Sequence, residues 1–251
     1  MNMQRETPEI RSNAPRIWVP SGLAAGAQLA LPERAARHVA ALRLEEGDPI
    51  TLFDGTGGEW GATLSALGRG RSSARVGAFR DVERESPIAI TLALGISSGD
   101  RMDLAIQKST ELGVTVIQPI ATARSVVRLK NERAERRLEH WVGVAIAACE
   151  QCGRNRVPEI RPIQTLLDFV LQPAEGAKLL LSPRGETHLK TLEPERHCTL
   201  LIGAEGGLSP EERDDALRAG YRELRFGPRV LRTETAPLAV IATLQCLWGD
   251  C

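Results

Sequence analysis

The sequence predicts an α/β protein built on a parallel sheet, with a small, mostly β, barrel-like unit in front of it. Three observations predict this. Before residue 80, short strand-like runs follow one another, separated by turn residues. After residue 87, near-continuous apolar runs alternate with helical patterns, as strands covered on both faces do. Between them, the charged stretch 80–86, closed by Pro87, reads as a linker.

Residues 1–15 read as a flexible arm. Strands are expected at 16–19, 28–31, 49–53, 59–64 and 73–79, broken by Glu46-Gly47-Asp48 and Asp54-Gly55-Thr56-Gly57-Gly58. A helix over 33–42 interrupts them, because Ala36, Val39, Ala40 and Leu42 recur at helical spacing. This unit, 16–80, has about the minimum size that folds alone. After the linker (81–87), the larger domain spans 88–251. It opens with the apolar strand 88–96. A helix over 100–112 stops at Gly113, a C-terminal glycine signal. A second buried strand follows at 114–120. The helix over 132–150 puts Leu138, Trp141, Val142, Ala145 and Cys149 on one stripe. Then come a helix near 165–171, strands 178–181 and 199–202, helix 210–219, strand 223–226 and helix 236–247.

The chain is 42% hydrophobic and 25% charged, with zero formal net charge. Bulk attraction to a polyanion is therefore excluded, and a nucleic-acid surface must be local. Between Arg124 and Arg161, nine basic residues stand against five acidic ones; a solvated helix face is the commoner explanation of such a stretch. The polar N-terminus has no apolar targeting core and no run reaches the length of a membrane span, so a cytoplasmic protein with reduced thiols is expected. Cys149 and Cys152 form a lone C-x-x-C without the second pair that structural zinc needs, which points to packed thiols and no metal.

Four segments can carry chemistry. The strongest begins in the strand Leu200-Leu201-Ile202 and continues as Gly203-Ala204-Glu205-Gly206-Gly207-Leu208-Ser209-Pro210. Glycines at the carboxyl end of a strand let backbone amides approach a ligand, and open α/β sheets bind at that edge. Ser209 with Glu212 makes a capping box. The loop lacks the lysine of a P-loop and is not a G-x-G-x-x-G fingerprint. The second segment, 226–236, crowds Arg229, Arg232, Thr233, Glu234 and Thr235 ahead of a helix, with Thr235 suited to cap it. In the third, 150–158, Gln151, Arg154, Asn155 and Arg156 have the chemistry to read base edges and phosphates, while Gly153 suits an ordinary helix end. In the fourth, Lys108 and Glu111 are spaced as a helix-surface pair. His38 and Arg43 lie on the helix of the small unit.

Together these segments resemble the RsmE-type methyltransferases of the SPOUT superfamily, from Arg16 to Asp250. The pattern runs in order: His38 with Leu42-Arg43 and Gly47-Asp48; Lys108-Ser109-Thr110-Glu111-Leu112-Gly113; Arg124-Ser125; Glu150-Gln151-Cys152-Gly153-Arg154 with Val157-Pro158; Gly203-Ala204-Glu205-Gly206-Gly207-Leu208; and Leu231-Arg232-Thr233-Glu234-Thr235-Ala236. The chain departs from it at Ala204, where the family has Pro, and at Ala123, where it has Glu. The resemblance implies a PUA-like N-terminal barrel, a C-terminal domain with a deep trefoil knot, and a homodimer with its active sites near the interface. It implies transfer of a methyl group from S-adenosyl-L-methionine to N3 of a uridine in small-subunit ribosomal RNA, free or in the assembled subunit. The donor would sit among Leu181, Ile202, Gly203, Glu205, Gly206, Phe226, Leu231, Arg232 and Thr233. Arg232 would steady charge on the uracil and Glu234 would take the proton. Arg16, His38, Arg43, Lys108, Arg124 and Arg154 would position the RNA. Two other readings stand beside it: a ribosome assembly factor that binds RNA without catalysis, and a nucleotide-dependent enzyme using the 203–207 loop.

Overall fold

The computed structural model describes residues 14–68, 71–125 and 132–251, with Arg71 described by its backbone alone. Most of the expected N-terminal arm, and Arg128 and Lys130 of the basic stretch, lie outside the described residues. The chain divides into two compact units between Glu83 and Arg84, inside the stretch read as linker.

The first unit contains β1 (Arg16–Trp18), β2 (Gln28–Ala30), α1 (Glu33–Ala41), β3 (Pro49–Phe53), β4 (Glu59–Gly68) and β5 (Arg71–Arg80). They form one five-stranded sheet in the order β1-β3-β4-β5-β2. Alternate residues of each strand turn inward, so Ile17, Ile50, Leu52, Ala62, Leu64, Ala74 and Val76 form a core with Ala35 and Val39 of α1. Beside that core Glu59, only 3% exposed, holds two guanidiniums. Arg16 pairs with it and also lies 4.8 Å over the Phe53 ring, while Arg80 reaches it at 3.0 Å. Arg16 was expected to position RNA. The structure corrects this: its guanidinium is largely enclosed and serves to neutralise a buried carboxylate.

The second unit contains β6 (Ala89–Gly95), α2 (Gly99–Glu111), β7 (Val116–Ala121), α3 (Glu132–Cys152), β8 (Glu159–Ile160), β9 (Gln164–Thr165), α4 (Leu166–Val170), β10 (Ala177–Leu181), a 3-10 turn (Leu189–Thr191), β11 (His197–Ile202), α5 (Pro210–Arg218), β12 (Arg222–Leu224) and α6 (Thr235–Trp248). The strands run parallel in the order β12-β10-β11-β6-β7-β8, with β9 also on β7. Their alternating side chains sort into two clusters. Leu92, Leu94, Leu179, Leu200 and Ile202 pack with α2, α3 and α6. Ala93, Leu180 and Leu201 pack with Leu166, Phe169 and Val170 of α4 and Ala216 of α5. Coverage on both faces is why these strands read as unbroken apolar runs. The strands β8 and β9, two residues each, are too short to show a period.

Arg154 was also expected to contact RNA, and the structure overturns that. Its side chain is 5% exposed and forms a two-pronged pair with Glu85, one prong at 2.9 Å. It also donates to the carbonyls of Thr110 (2.8 Å) and Val114 (2.9 Å), at the end of α2. Burial works against the charge, but the hydrogen bond and negative charge of Glu85 more than offset it and raise the arginine pKa. Asn155 beside it is fully buried. The polar third segment is therefore a structural lock: Arg84 donates to the Gly153 carbonyl, and Ser86 donates to Gln245, which in turn donates to Leu112. Arg154→Ala is expected to destabilise the second unit by about 3–5 kcal/mol, because it strands the Glu85 carboxylate. A urea titration reads this as a lower midpoint; an RNA-contact role alone would leave the midpoint unmoved.

Candidate functional site

Three neighbouring strands, β12, β10 and β11, release their loops at the same carboxyl edge, and the loops enclose a cavity of about 510 Å³. That lies within the range of small-molecule sites, roughly 300–1,000 Å³. Leu181, Ile202, Phe226 and Leu231 give it apolar walls. The 203–207 backbone and side chains including Arg124, Ser182, Arg184, Arg225 and Arg229 supply the polar lining.

The loop after β11 takes its path from missing side chains. A Cβ on Gly95, the last residue of β6, would lie 2.2 Å from the Ala204 amide nitrogen, and one on Gly203 would lie 2.9 Å from the Gly207 carbonyl carbon. Gly207 closes the turn by donating to the Ala204 carbonyl at 2.8 Å, at φ +67°, where a side chain is strained. Ser209 then caps α5 through the expected capping box with Glu212. Arg124 donates to the Gly206 carbonyl at 3.1 Å and forms part of the wall. The loop after β10 is a turn in which Gly185 donates to Ser182 (3.1 Å), and it lies close against the Glu223 carbonyl. In the loop after β12, the amides of Thr235 and Ala236 both donate to the Arg232 carbonyl at 2.9 Å.

Eight of the nine residues expected around the donor line this cavity: Leu181, Ile202, Gly203, Glu205, Gly206, Phe226, Leu231 and Thr233. The ninth, Arg232, is exposed beside the wall and does not line it. Glu234 sits at the cap of α6 with one carboxylate oxygen enclosed and lacking a hydrogen-bond partner. Thr235 is the first residue of α6 rather than its cap. Of the expected RNA contacts, Arg124 alone is on the wall. Lys108 is held by Glu111 at 2.8 Å. His38 is half-buried on the last turn of α1, and Arg43 is exposed just beyond that helix. Arg229 of the second segment lines the cavity too, and sequence reasoning missed Arg184, Arg213 and Arg225, which also line it. Nothing in their spacing sets them apart from ordinary surface arginines.

Glu205 fixes the glycine loop to the start of α2. One carboxylate oxygen accepts from the Ser98 amide (3.0 Å), the Ser98 hydroxyl (3.2 Å) and Arg101 (3.4 Å), while the other is buried without a partner. Burial opposes ionisation, yet hydrogen bonds from the Ser98 amide, its own amide and the Ser98 hydroxyl, with the Arg101 charge, hold the carboxyl below the usual range. Such a group adds stability above its unfolded pKa of about 4.3 and loses it as pH falls through the lower folded value. Glu205→Gln is therefore expected to lower the thermal midpoint near neutral pH and to flatten its fall below about pH 4.3, read by melts across that window.

Comparison with known proteins agrees with this geometry. Residues 84–245 match the family model of the RNA methyltransferase domain, and residues 31–76 match that of the RNA methyltransferase PUA domain. Ribosomal RNA small subunit methyltransferase E of Buchnera aphidicola subsp. Schizaphis graminum is 30% identical over 96% of this chain and 99% of its own length. The Bacillus subtilis protein of that name is 31% identical over 87% of this chain and 91% of its own. Among solved structures, ribosomal RNA small subunit methyltransferase E from Neisseria gonorrhoeae, bound to S-adenosyl methionine, is 42% identical, with a TM-score of 0.87, covering 94% of this chain and 99% of that one. A Legionella pneumophila putative methyltransferase in complex with the same cofactor is 38% identical, with a TM-score of 0.93, covering 96% and 100%. With both units matched and relatives aligned along almost their whole length, the chain belongs to the ribosomal RNA small subunit methyltransferase E family.

Proposed function

We propose that this protein methylates N3 of a uridine in small-subunit ribosomal RNA, with S-adenosyl-L-methionine as donor. The observation that carries the reading is the convergence of three strand-end loops on one cavity that is apolar on its walls and glycine-lined along one edge. The residues fit such a donor. The apolar walls suit an adenine ring and a thioether chain, the Gly203–Gly207 backbone lines the cavity without bulky side chains of its own beyond Glu205, and a buried Glu205 oxygen lacks a partner.

Leu181, Ile202, Phe226 and Leu231 would hold the donor's apolar parts, and the backbone of Gly203 and Gly206 its polar edges. When bound, the donor supplies a methyl group already activated on a sulfonium sulfur. What remains for the chain is orientation and a proton, because uracil N3–H ionises only well above neutral pH. Glu234 is placed in the reading as the group that accepts this proton, and Arg232 as the cation that steadies the resulting charge on the uracil oxygens. The two share one connection, from β12 to α6. Arg124, Lys108, His38 and Arg43 position the RNA.

The reading includes a homodimer and the family's knotted arrangement of the three loops. Arg232 and Val230, the latter 80% exposed, leave apolar and charged surface on this loop that a second copy could bury. The substrate would be reached in the cytoplasm; among the described residues no helix is long and apolar enough to cross a membrane.

Purified protein, unmodified small ribosomal subunits and isotope-labelled donor, followed by nucleoside mass spectrometry, are expected to yield labelled 3-methyluridine. Glu234→Gln is expected to reduce kcat roughly 100- to 10,000-fold with the donor still bound; a factor that only binds RNA would lose nothing. Arg43 offers a separate test. It sits at φ +56° where the helix end favours glycine, with Arg43 donating to Ala40 and Leu44 to Val39. Arg43→Gly is expected to stabilise the first unit by about 0.5–1 kcal/mol while raising KM for the subunit. Denaturation and steady-state kinetics on the same preparation measure both.

A further inference from the structure

The chain has four Trp, four Phe and one Tyr, and among the described residues Phe79, at 49%, is the most exposed aromatic. It lies near the end of β5 in the first unit. Its ring is held out rather than merely left out. It leans on Trp60, opposite it on β4, with centroids 5.1 Å apart and planes tilted by 56°. Trp60 is itself packed against the core of the unit. The edge of the ring also lies close to Gly58, where an added Cβ would be 2.3 Å from Cζ and 2.4 Å from Cε2 and where φ is +65°. A register shift between Trp60 and Ala62 breaks the alternation of β4 there. Gly61 and Gly77 face each other beside the pair, and a Cβ on Gly77 would lie 2.9 Å from the Gly61 carbonyl oxygen. The result is an aromatic face next to backbone with no side chains over it.

The charges within β5 itself are all cationic, and the first acidic residue, Asp81, stands just past its end. From residue 67 to 80 the sequence has four arginines and no acidic residue. Arg75 and Arg80 are exposed. Glu59, the carboxylate beneath, is shared between Arg16 and Arg80.

We propose that Phe79, backed by Trp60, is a stacking platform for an unpaired base of the substrate RNA, with Arg75 and Arg80 drawing the adjoining phosphates. This rests on the RNA-methylating reading above and deepens it. Single-stranded RNA is held by bases stacked on aromatic rings beside cationic side chains, and such stacking tolerates any base. A second copy of the chain is a poorer occupant, since it would bring like charge against like.

The test uses the full chain and unmodified small ribosomal subunits. Phe79→Ala is expected to raise KM for the subunit roughly tenfold, the effect of losing one base–aromatic stack. It should leave kcat and donor affinity unchanged, with at most a small drop in the thermal midpoint from loss of the Trp60 pair. Phe79→Trp should restore KM and Phe79→Leu should not. Ultraviolet crosslinking should place a nucleotide adduct on the peptide that carries Phe79. The platform is overturned if Phe79→Ala keeps the wild-type KM, if Phe79→Leu restores it as well as Trp does, or if the loss tracks a change in oligomeric state. Should the wild type neither bind nor methylate the subunit, the methylation reading falls as well; wild-type methylation with an unchanged Phe79→Ala removes the platform alone.

Discussion

The site depends on a contact between backbones. β6 and β11 are parallel neighbours, with Leu94 opposite Ile202, and both end at one edge of the sheet. The next residues are Gly95 and Gly203. Because Gly95 has no Cβ, the chain leaving β11 can fold down onto the end of β6; because Gly203 has none, the Gly207 segment can return across it. Glu205 then ties the loop to the start of α2, and Arg124 closes over Gly206. The cavity is thus shaped before anything binds, which lowers the ordering cost of binding.

The rest of the second unit keeps that edge in place. Two side-chain clusters hold the sheet from both faces, so the strand ends are rigid while the loops stay polar. Away from the site, the Arg154–Glu85 pair and the Gln245 side chain join the segment entering β6 to the ends of α2, α3 and α6. Those groups look functional in a sequence because they are polar and close to glycines. In the fold they satisfy buried backbone and charge.

Much of this was legible in the sequence. Element order and type follow from periodicity, and 49–53 and 210–218 begin where turn and capping chemistry put them. The cavity wall was legible because a glycine-rich strand end lets a ligand approach the backbone, and eight of the nine residues that the resemblance placed around a donor line the cavity. What could not be read was burial of charge. Arg16 and Arg154 have partners 43 and 69 residues away in the chain, Glu59 and Glu85, and no local pattern announces such pairs. Nor could local spacing foretell that Arg232 would offer its carbonyl to α6 and leave its guanidinium off the wall. Phe79 was hidden for a related reason: in the sequence it is one more strand aromatic, and its exposure follows from Gly58 and the register shift.

The most direct test of the central claim is amide hydrogen exchange with and without S-adenosylhomocysteine, the product form of the proposed donor. The account predicts slowed exchange concentrated at residues 182–185, 203–209 and 225–234, with the first unit unchanged. Protection elsewhere, or none at concentrations that saturate a family member, would contradict it.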